Sequence, residues 1–433
     1  MDSKKALDDI KYIKEIMSDA KTATHHFGKF YMVWAGAVIL GMTVQLSLIH
    51  HNINSPVASI TCWLFFMGSA LLWDIRESKK LKANAPSKTF VNRMLESIWV
   101  SCLAAILTSL FIMPLVTNGE FIYGTAVICL ILGIGHYITG VLAGYRVLKF
   151  IGIAWWVSFI PILLLIKDGE LFQMAVLFAF LMFLLQFIPG LLQSWSAKTE
   201  NNRSNKEQDV DSNSTSALEN VFYIKKLLDD TRKATLNFGA YYIFWSILIV
   251  VAIAVEFTIS ANIFASLDLD PVTEGSMQKA YPHLITPLAV SWLTFIGMGT
   301  LWSIRRARSL RGTRHDGTFA NKLVGYTWFS VFFSVSIALF LFPILLKGDF
   351  PFSAGIIALL YGIGHYINGE LCESTLLKRT GIGWWAYSIV LTALGNTGLA
   401  IYLGLLFALG LIVFQLIPGF ILYKQLDKSE QAL

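Results

Sequence analysis

The sequence predicts an all-α membrane protein of twelve transmembrane helices, arranged as two parallel six-helix repeats, each preceded by a cytoplasmic amphipathic helix. Three observations predict it. The 433 residues are 55% hydrophobic and only 14% charged, too apolar for an ordinary soluble domain. The apolar residues gather in runs of about 20, the length at which a helix crosses the hydrocarbon core of a bilayer. The chain also repeats itself: Gly133-Ile134-Gly135-His136-Tyr137-Ile138 with Gly140 returns 229 residues later as Gly362-Ile363-Gly364-His365-Tyr366-Ile367 with Gly369.

Residues 3–26 read as the first amphipathic helix. Leu7, Ile10, Ile13, Ile16, Met17 and Ala20 recur at three- and four-residue steps and share one face. Asp8 and Asp9 suit the positive end of its dipole. A charged, helical start of this kind predicts no cleavable signal peptide. Six spans follow near 29–50, 57–75, 94–116, 121–145, 151–167 and 171–194. Asn118-Gly119-Glu120 and Lys167-Asp168-Gly169-Glu170 are polar turns between antiparallel neighbours. Residues 196–216 are almost free of apolar side chains and read as a flexible linker. The predicted domains are therefore 1–195, the linker 196–216, and 217–433.

The second half repeats the first. Tyr223-Ile224-Lys225 matches Tyr12-Ile13-Lys14, and Phe238-Gly239 matches Phe27-Gly28, at an offset of 211. Beyond the first span the offset becomes 229: Trp99 with Trp328, Pro114 with Pro343, Trp155-Trp156 with Trp384-Trp385, Ile188-Pro189-Gly190 with Ile417-Pro418-Gly419. Hydrophobic resemblance alone would not keep Trp, Pro and His in one register. The spans of this half fall near 239–259, 285–303, 322–346, 352–376, 382–397 and 400–423.

Basic residues cluster in alternate loops, at Arg76 to Arg93, Arg146 to Lys149, Arg305 to Lys322 and Lys378-Arg379. The opposite loops hold only Lys167, Lys279 and Lys347. This bias puts both termini in the cytoplasm. The formal charge of +6 thus reports topology, and no nucleic-acid partner is expected. The lipid bilayer is the expected partner. Anionic headgroups at the basic loops and a protein at the amphipathic helices are the further ones.

His136 and His365 are the leading site residues. Gly133 and Gly140 share a helical face with His136, and Gly362 and Gly369 stand likewise to His365, a stripe that lets helices approach closely. One reading is helix packing around a hydrogen-bonded imidazole. The other is a proton or substrate path, since ionisable groups inside a membrane mark such paths. A third has the two histidines facing each other to hold a metal or haem. Tyr137 and Tyr366 could assist each His. Glu370 and Glu373, where the first repeat has Val141 and Gly144, and Glu256, where it has Gln45, read either as solvated or paired span ends or as carboxylates on the same path. The tryptophans at 99, 155, 156, 328, 384 and 385 read as interfacial belts. No Walker A, GxSxG, HExxH or zinc-type Cys/His cluster is present in the sequence, so no metal, cofactor or catalytic residue is assigned.

Leu359-Leu360-Tyr361-Gly362 with Gly369, then Gly381-Ile382-Gly383-Trp384, and Gly133, Gly140 and Gly152 in the first repeat, resemble a group of uncharacterised bacterial polytopic integral membrane proteins. There an amphipathic helix precedes about six spans. The resemblance implies a bacterial cytoplasmic membrane location and carries no activity. The histidines and the tandem duplication depart from its pattern. The 6+6 layout also invites comparison with major facilitator transporters, but their Gly-x-x-x-Asp-Arg signature is missing from 72–82 and 301–311. The expected function is a non-enzymatic membrane module, meaning a sensor, scaffold or regulatory subunit. The alternatives are a secondary transporter or permease using the intramembrane His and Glu residues, and a bis-histidine metal or haem protein.

Overall fold

The computed structural model describes residues 27–48, 50–51, 53, 56–84, 90–119, 121–195, 215–271, 273, 275–309, 319–347, 351–395, 397, 399 and 402–431. The predicted helix at 3–26 and most of the predicted linker lie outside them. Among the described residues the regular structure is entirely helical. We number the helices α1 (Phe27–Leu48), α2 (Pro56–Asn84), α3 (Phe90–Val116), α4 (Gly124–Leu142), α5 (Arg146–Lys167) and α6 (Leu171–Trp195). They continue as α7 (Thr215–Ser266), α8 (Ser276–Ser309), α9 (Phe319–Leu345), α10 (Ser353–Leu371), α11 (Thr375–Leu394) and α12 (Leu403–Gln425).

Ten of these are long and apolar enough to cross a membrane, and the chain is a multi-pass integral membrane protein. α10 and α11 are not among the ten. His365, Asn368 and Glu370 dilute the apolar character of α10, and Lys378 and Arg379 that of α11. Several helices outrun the spans read from hydropathy. α5 starts at Arg146 and α8 at Ser276, because a helix continues past the hydrocarbon wherever its residues favour it. α7 is the extreme case. Its 52 residues would span about 78 Å, far more than the roughly 30 Å core of a bilayer. No break separates the predicted second amphipathic helix from the span near 239–259.

Three helices contain one π-helical turn: Thr108–Ile112 in α3, Phe183–Phe187 in α6 and Ile412–Leu416 in α12. Each lies just before a proline, Pro114, Pro189 or Pro418. Proline cannot donate to the carbonyl four residues back and its ring crowds that carbonyl. A wider turn at that point relieves both problems.

The helices form two compact units, whose boundaries fall inside α3, α4 and α7. The first comprises Met1–Glu96 and Gly135–Tyr223, the second Ser97–Ile134 and Ile224–Leu433. In the first unit, Trp34 Nε1 on α1 donates to Asp74 Oδ2 on α2 at 3.0 Å, and Gln45 Nε2 donates to Ser59 Oγ at 3.0 Å. α1 also crosses α6 backbone to backbone. A Cβ on Gly28 would stand 2.6 Å from the Gly190 carbonyl oxygen. In the second unit, Trp245 Nε1 on α7 donates to Ser303 Oγ on α8 at 3.1 Å, and a Cβ on Gly239 would stand 2.9 Å from the Gly419 oxygen of α12. Segment 97–134 belongs to this unit through contacts such as Phe121 with Phe352, ring centroids 5.4 Å apart, and Tyr123 with Phe342 at 5.9 Å. Large apolar side chains face outward along α2 and α8, among them Leu72 and Leu301, as contact with lipid requires.

Candidate functional site

α10 is covered on almost every side. Its glycines make that coverage achievable. A Cβ on Gly362 would collide with the Trp385 indole, and one on Gly369 would stand 2.5 Å from the Lys378 backbone nitrogen. α11 can therefore lie directly against α10. Gly140 of α4 stands likewise to α5, with its Cβ position 2.7 Å from the Lys149 nitrogen. Gly133 is buried in α4.

His365 sits on this buried helix with no solvent exposure. Four rings enclose its imidazole: Trp328 of α9 at 5.1 Å between centroids, Tyr242 of α7 at 5.2 Å, and Tyr361 of α10 and Trp384 of α11 at 6.5 Å each. Polar groups lie among the rings. Asn368, one turn along α10 and on the same face, donates from Nδ2 to the Tyr242 hydroxyl at 3.2 Å. Thr380 Oγ1 stands 3.5 Å from His365 Nδ1 and donates to the Leu377 carbonyl at 2.7 Å. The Gln415 side chain, on the π-helical turn of α12, lies within hydrogen-bonding reach of the same imidazole.

His136 in the first unit has the same kind of surroundings. It is fully buried, with Tyr31 of α1 at 5.3 Å and Trp155 of α5 at 6.5 Å. Tyr31 and Tyr242 are 211 residues apart, and Trp155 and Trp384 are 229 apart, the offsets read from the sequence. Comparison with protein-family models, curated proteins and solved structures finds no match. The reading of this site therefore rests on its own geometry.

The other predicted site residues are not gathered with the histidines. Tyr137 and Tyr366 turn to Trp156 and Trp385, ring centroids 5.3 Å apart in both pairs. Glu370, near the end of α10, pairs through Oε1 with Lys378 Nζ at 2.6 Å. Glu373 lies beyond the end of α10, in the turn before α11, at φ 51°. Glu256 accepts from Trp292 Nε1 of α8 at 3.0 Å. It lies 14 residues along α7 from Tyr242, about 21 Å, and so does not share the His365 site. Trp155 and Trp384 are fully buried beside the histidines and Trp328 nearly so, not at an interfacial belt. Their rings supply the flat apolar surface that encloses an imidazole. Among the described residues no group of three or more His, Cys, Asp or Glu is placed to hold a metal.

Sequence reasoning passed over Tyr31 and Tyr242, Gln186 and Gln415, and Asn368 and Thr380. The two Tyr and the two Gln were findable, because each type recurs in register between the halves. Asn368 faces Thr139 at its offset and Thr380 stands alone, so neither carried a signal.

Proposed function

We propose that the chain is a non-catalytic multi-pass membrane module, a sensor, scaffold or regulatory subunit, built from two six-span repeats with both termini cytoplasmic. The observation that carries this reading is the enclosure of His365 by Tyr242, Trp328, Tyr361 and Trp384. A solute or proton path needs an ionisable group that faces a polar cavity, whereas this imidazole is held inside a packed aromatic cluster. The Glu370–Lys378 pair supports the reading as well, since it neutralises the carboxylate that follows that histidine on α10. Anionic lipid headgroups at the basic loops and a protein at the amphipathic segments are the partners this reading expects.

The test is flux. Purified protein is reconstituted in vesicles, and uptake of a solute library and proton leak are followed. The expected result is no flux above protein-free vesicles. A flux abolished by His365→Ala would replace the module with a permease.

A further inference from the structure

The helix pairs α1–α2 and α7–α8 are built alike and charged differently. In each, a tryptophan of the first helix donates to a polar side chain of the second, Trp34 to Asp74 at 3.0 Å and Trp245 to Ser303 at 3.1 Å. Beside that bond an aromatic ring stands 5.4 Å from a tryptophan of the second helix, Phe30 against Trp73 and Tyr241 against Trp302. These residues correspond at the offsets of 211 and 229 read from the sequence. The charges in the same frame do not. Glu77 of α2 pairs with Lys29 of α1 at 3.6 Å and with Lys80 at 3.4 Å. At the matching positions the second unit has Arg306 for Glu77, Ala240 for Lys29 and Ser303 for Asp74. Residues 72–80 therefore set two acids against three bases, whereas 301–309 hold Arg305, Arg306 and Arg308 and no acid.

Among the described residues none of these three arginines pairs with a carboxylate. Like charges one turn apart destabilise a helix, so the counter-charge that would relieve them comes from outside it. Arg306 is half-buried; its Nε is covered yet meets no acceptor, and the Tyr241 phenol lies within electrostatic reach of its charge. Arg305 and Arg308 are exposed and share a face of α8 with the exposed Leu301 and Met298, at steps of three and four residues. The cationic face thus continues directly into the apolar one.

We propose that this end of α8 binds the phosphate of an anionic phospholipid, and that the matching end of α2 does not. Arg305 and Arg308 hold the phosphate, for which the planar guanidinium fork is well shaped. Arg306 adds charge beside them, and the acyl chains lie along Leu301 and Met298. That continuity selects a phosphate carried on a lipid over a free one. The inference sharpens the headgroup partnership proposed above and rests on it, and it holds for a sensor, a scaffold or a permease alike.

The test is native mass spectrometry of the intact protein in detergent, titrated with phosphatidylglycerol or phosphatidylcholine. Phosphatidylglycerol is expected to bind the more tightly, and inorganic phosphate is expected not to displace it. Arg305→Gln with Arg308→Gln should weaken the tightest-bound phosphatidylglycerol about tenfold or more, while Arg76→Gln with Lys79→Gln should change it less than about twofold. Lys29→Ala with Glu77→Arg gives the first unit the charge pattern of the second and should add one tightly bound phosphatidylglycerol, a gain that misfolding cannot produce. Equal losses in the two Gln pairs would overturn the assignment to α8 and leave headgroup binding at the basic loops standing. Displacement by inorganic phosphate would make this a free-anion site and overturn the lipid. Absence of any preference for phosphatidylglycerol would overturn both the site and the headgroup partnership, and would leave the arginines to an acidic protein.

Discussion

Tyr242 on α7 packs its ring 5.2 Å from that of His365 and accepts, through its hydroxyl, a hydrogen bond from Asn368 at 3.2 Å. One side chain thus covers the imidazole and satisfies the amide one turn away. Tyr242→Phe keeps the ring and removes the acceptor, leaving a buried amide donor unmet. The expected cost is about 1 kcal/mol, in the range measured for hydrogen bonds between membrane helices. Tyr242→Ala should cost about 3 kcal/mol or more, because the ring is lost too. Thermal unfolding of the purified variants in one detergent checks both values. Equal Tm for wild type and Tyr242→Phe would show that the hydroxyl contributes nothing.

The glycine contacts separate crowded positions from open ones. A Cβ at Gly369 would press on the Lys378 backbone nitrogen and one at Gly140 on that of Lys149, whereas nothing lies within 4 Å of a Cβ at Gly36. Backbone cannot swing aside as a side chain can. Gly369→Ala and Gly140→Ala should each lower stability by about 1–3 kcal/mol. Gly36→Ala should be neutral or stabilising by up to about 1 kcal/mol, from helix propensity. Tm measured across the three variants would contradict the close crossings if all behaved alike.

Glu373 occupies a left-handed backbone conformation, φ 51°, at the position where the first half has Gly144 at φ 68°. A side chain in that region costs about 1 kcal/mol relative to glycine. Glu373→Gly should therefore stabilise the protein by about 0.5–1 kcal/mol, and Glu373→Val should destabilise it, since branching at Cβ makes the conformation harder still. Denaturation midpoints under matched conditions would rank the two variants on either side of wild type.

The Glu370–Lys378 pair joins the end of α10 to the start of α11 at 2.6 Å, with part of the Lys378 side chain exposed. Exposure limits such a pair to about 1 kcal/mol or less. A double-mutant cycle with Glu370→Gln and Lys378→Gln should return a coupling of about 0.5–1 kcal/mol that shrinks as salt is raised. A coupling unaffected by salt would place the pair in a more enclosed setting than the structure shows.

Glu256 needs only an acceptor oxygen to meet Trp292 Nε1. Glu256→Gln retains one and should leave Tm within about 0.5 kcal/mol equivalent, while Glu256→Leu orphans the indole and should cost about 1 kcal/mol. A large loss in Glu256→Gln would show that the charge itself matters and would reopen the question of a path through α7 and α8.

The helices were legible because crossing a bilayer demands length and apolarity together, and both are visible in the letters. Their ends were not. Arg146 to Lys149 and the long front of α7 continue a helix after the apolar run stops, and hydropathy is blind to that. His136 and His365 were visible as repeated polar letters in apolar text, but their enclosure was not. Tyr242 precedes His365 by more than a hundred residues, and no periodicity links positions so far apart. Trp155 and Trp384 were misread because tryptophan near a span end usually marks the lipid boundary. Here one face of α5 and of α11 turns inward at that height. Gln186 and Gln415 were findable as a repeated pair, but the change of helical geometry on which they sit was not, and its sequence mark is the proline that follows.

Those wide turns also bear on what the chain can lose. A π-helical turn holds one residue more than the α-helix on either side requires, while the flanks keep their facing. Almost anywhere else in these spans, deleting one residue would rotate everything beyond it by about 100° and strip its contacts. In 183–187 and 412–416 a deletion is absorbed by closing the turn, so that Gly190 still meets Gly28 and Gly419 still meets Gly239. These turns, with 108–112 of α3, are places where the length of a membrane-crossing segment is negotiable.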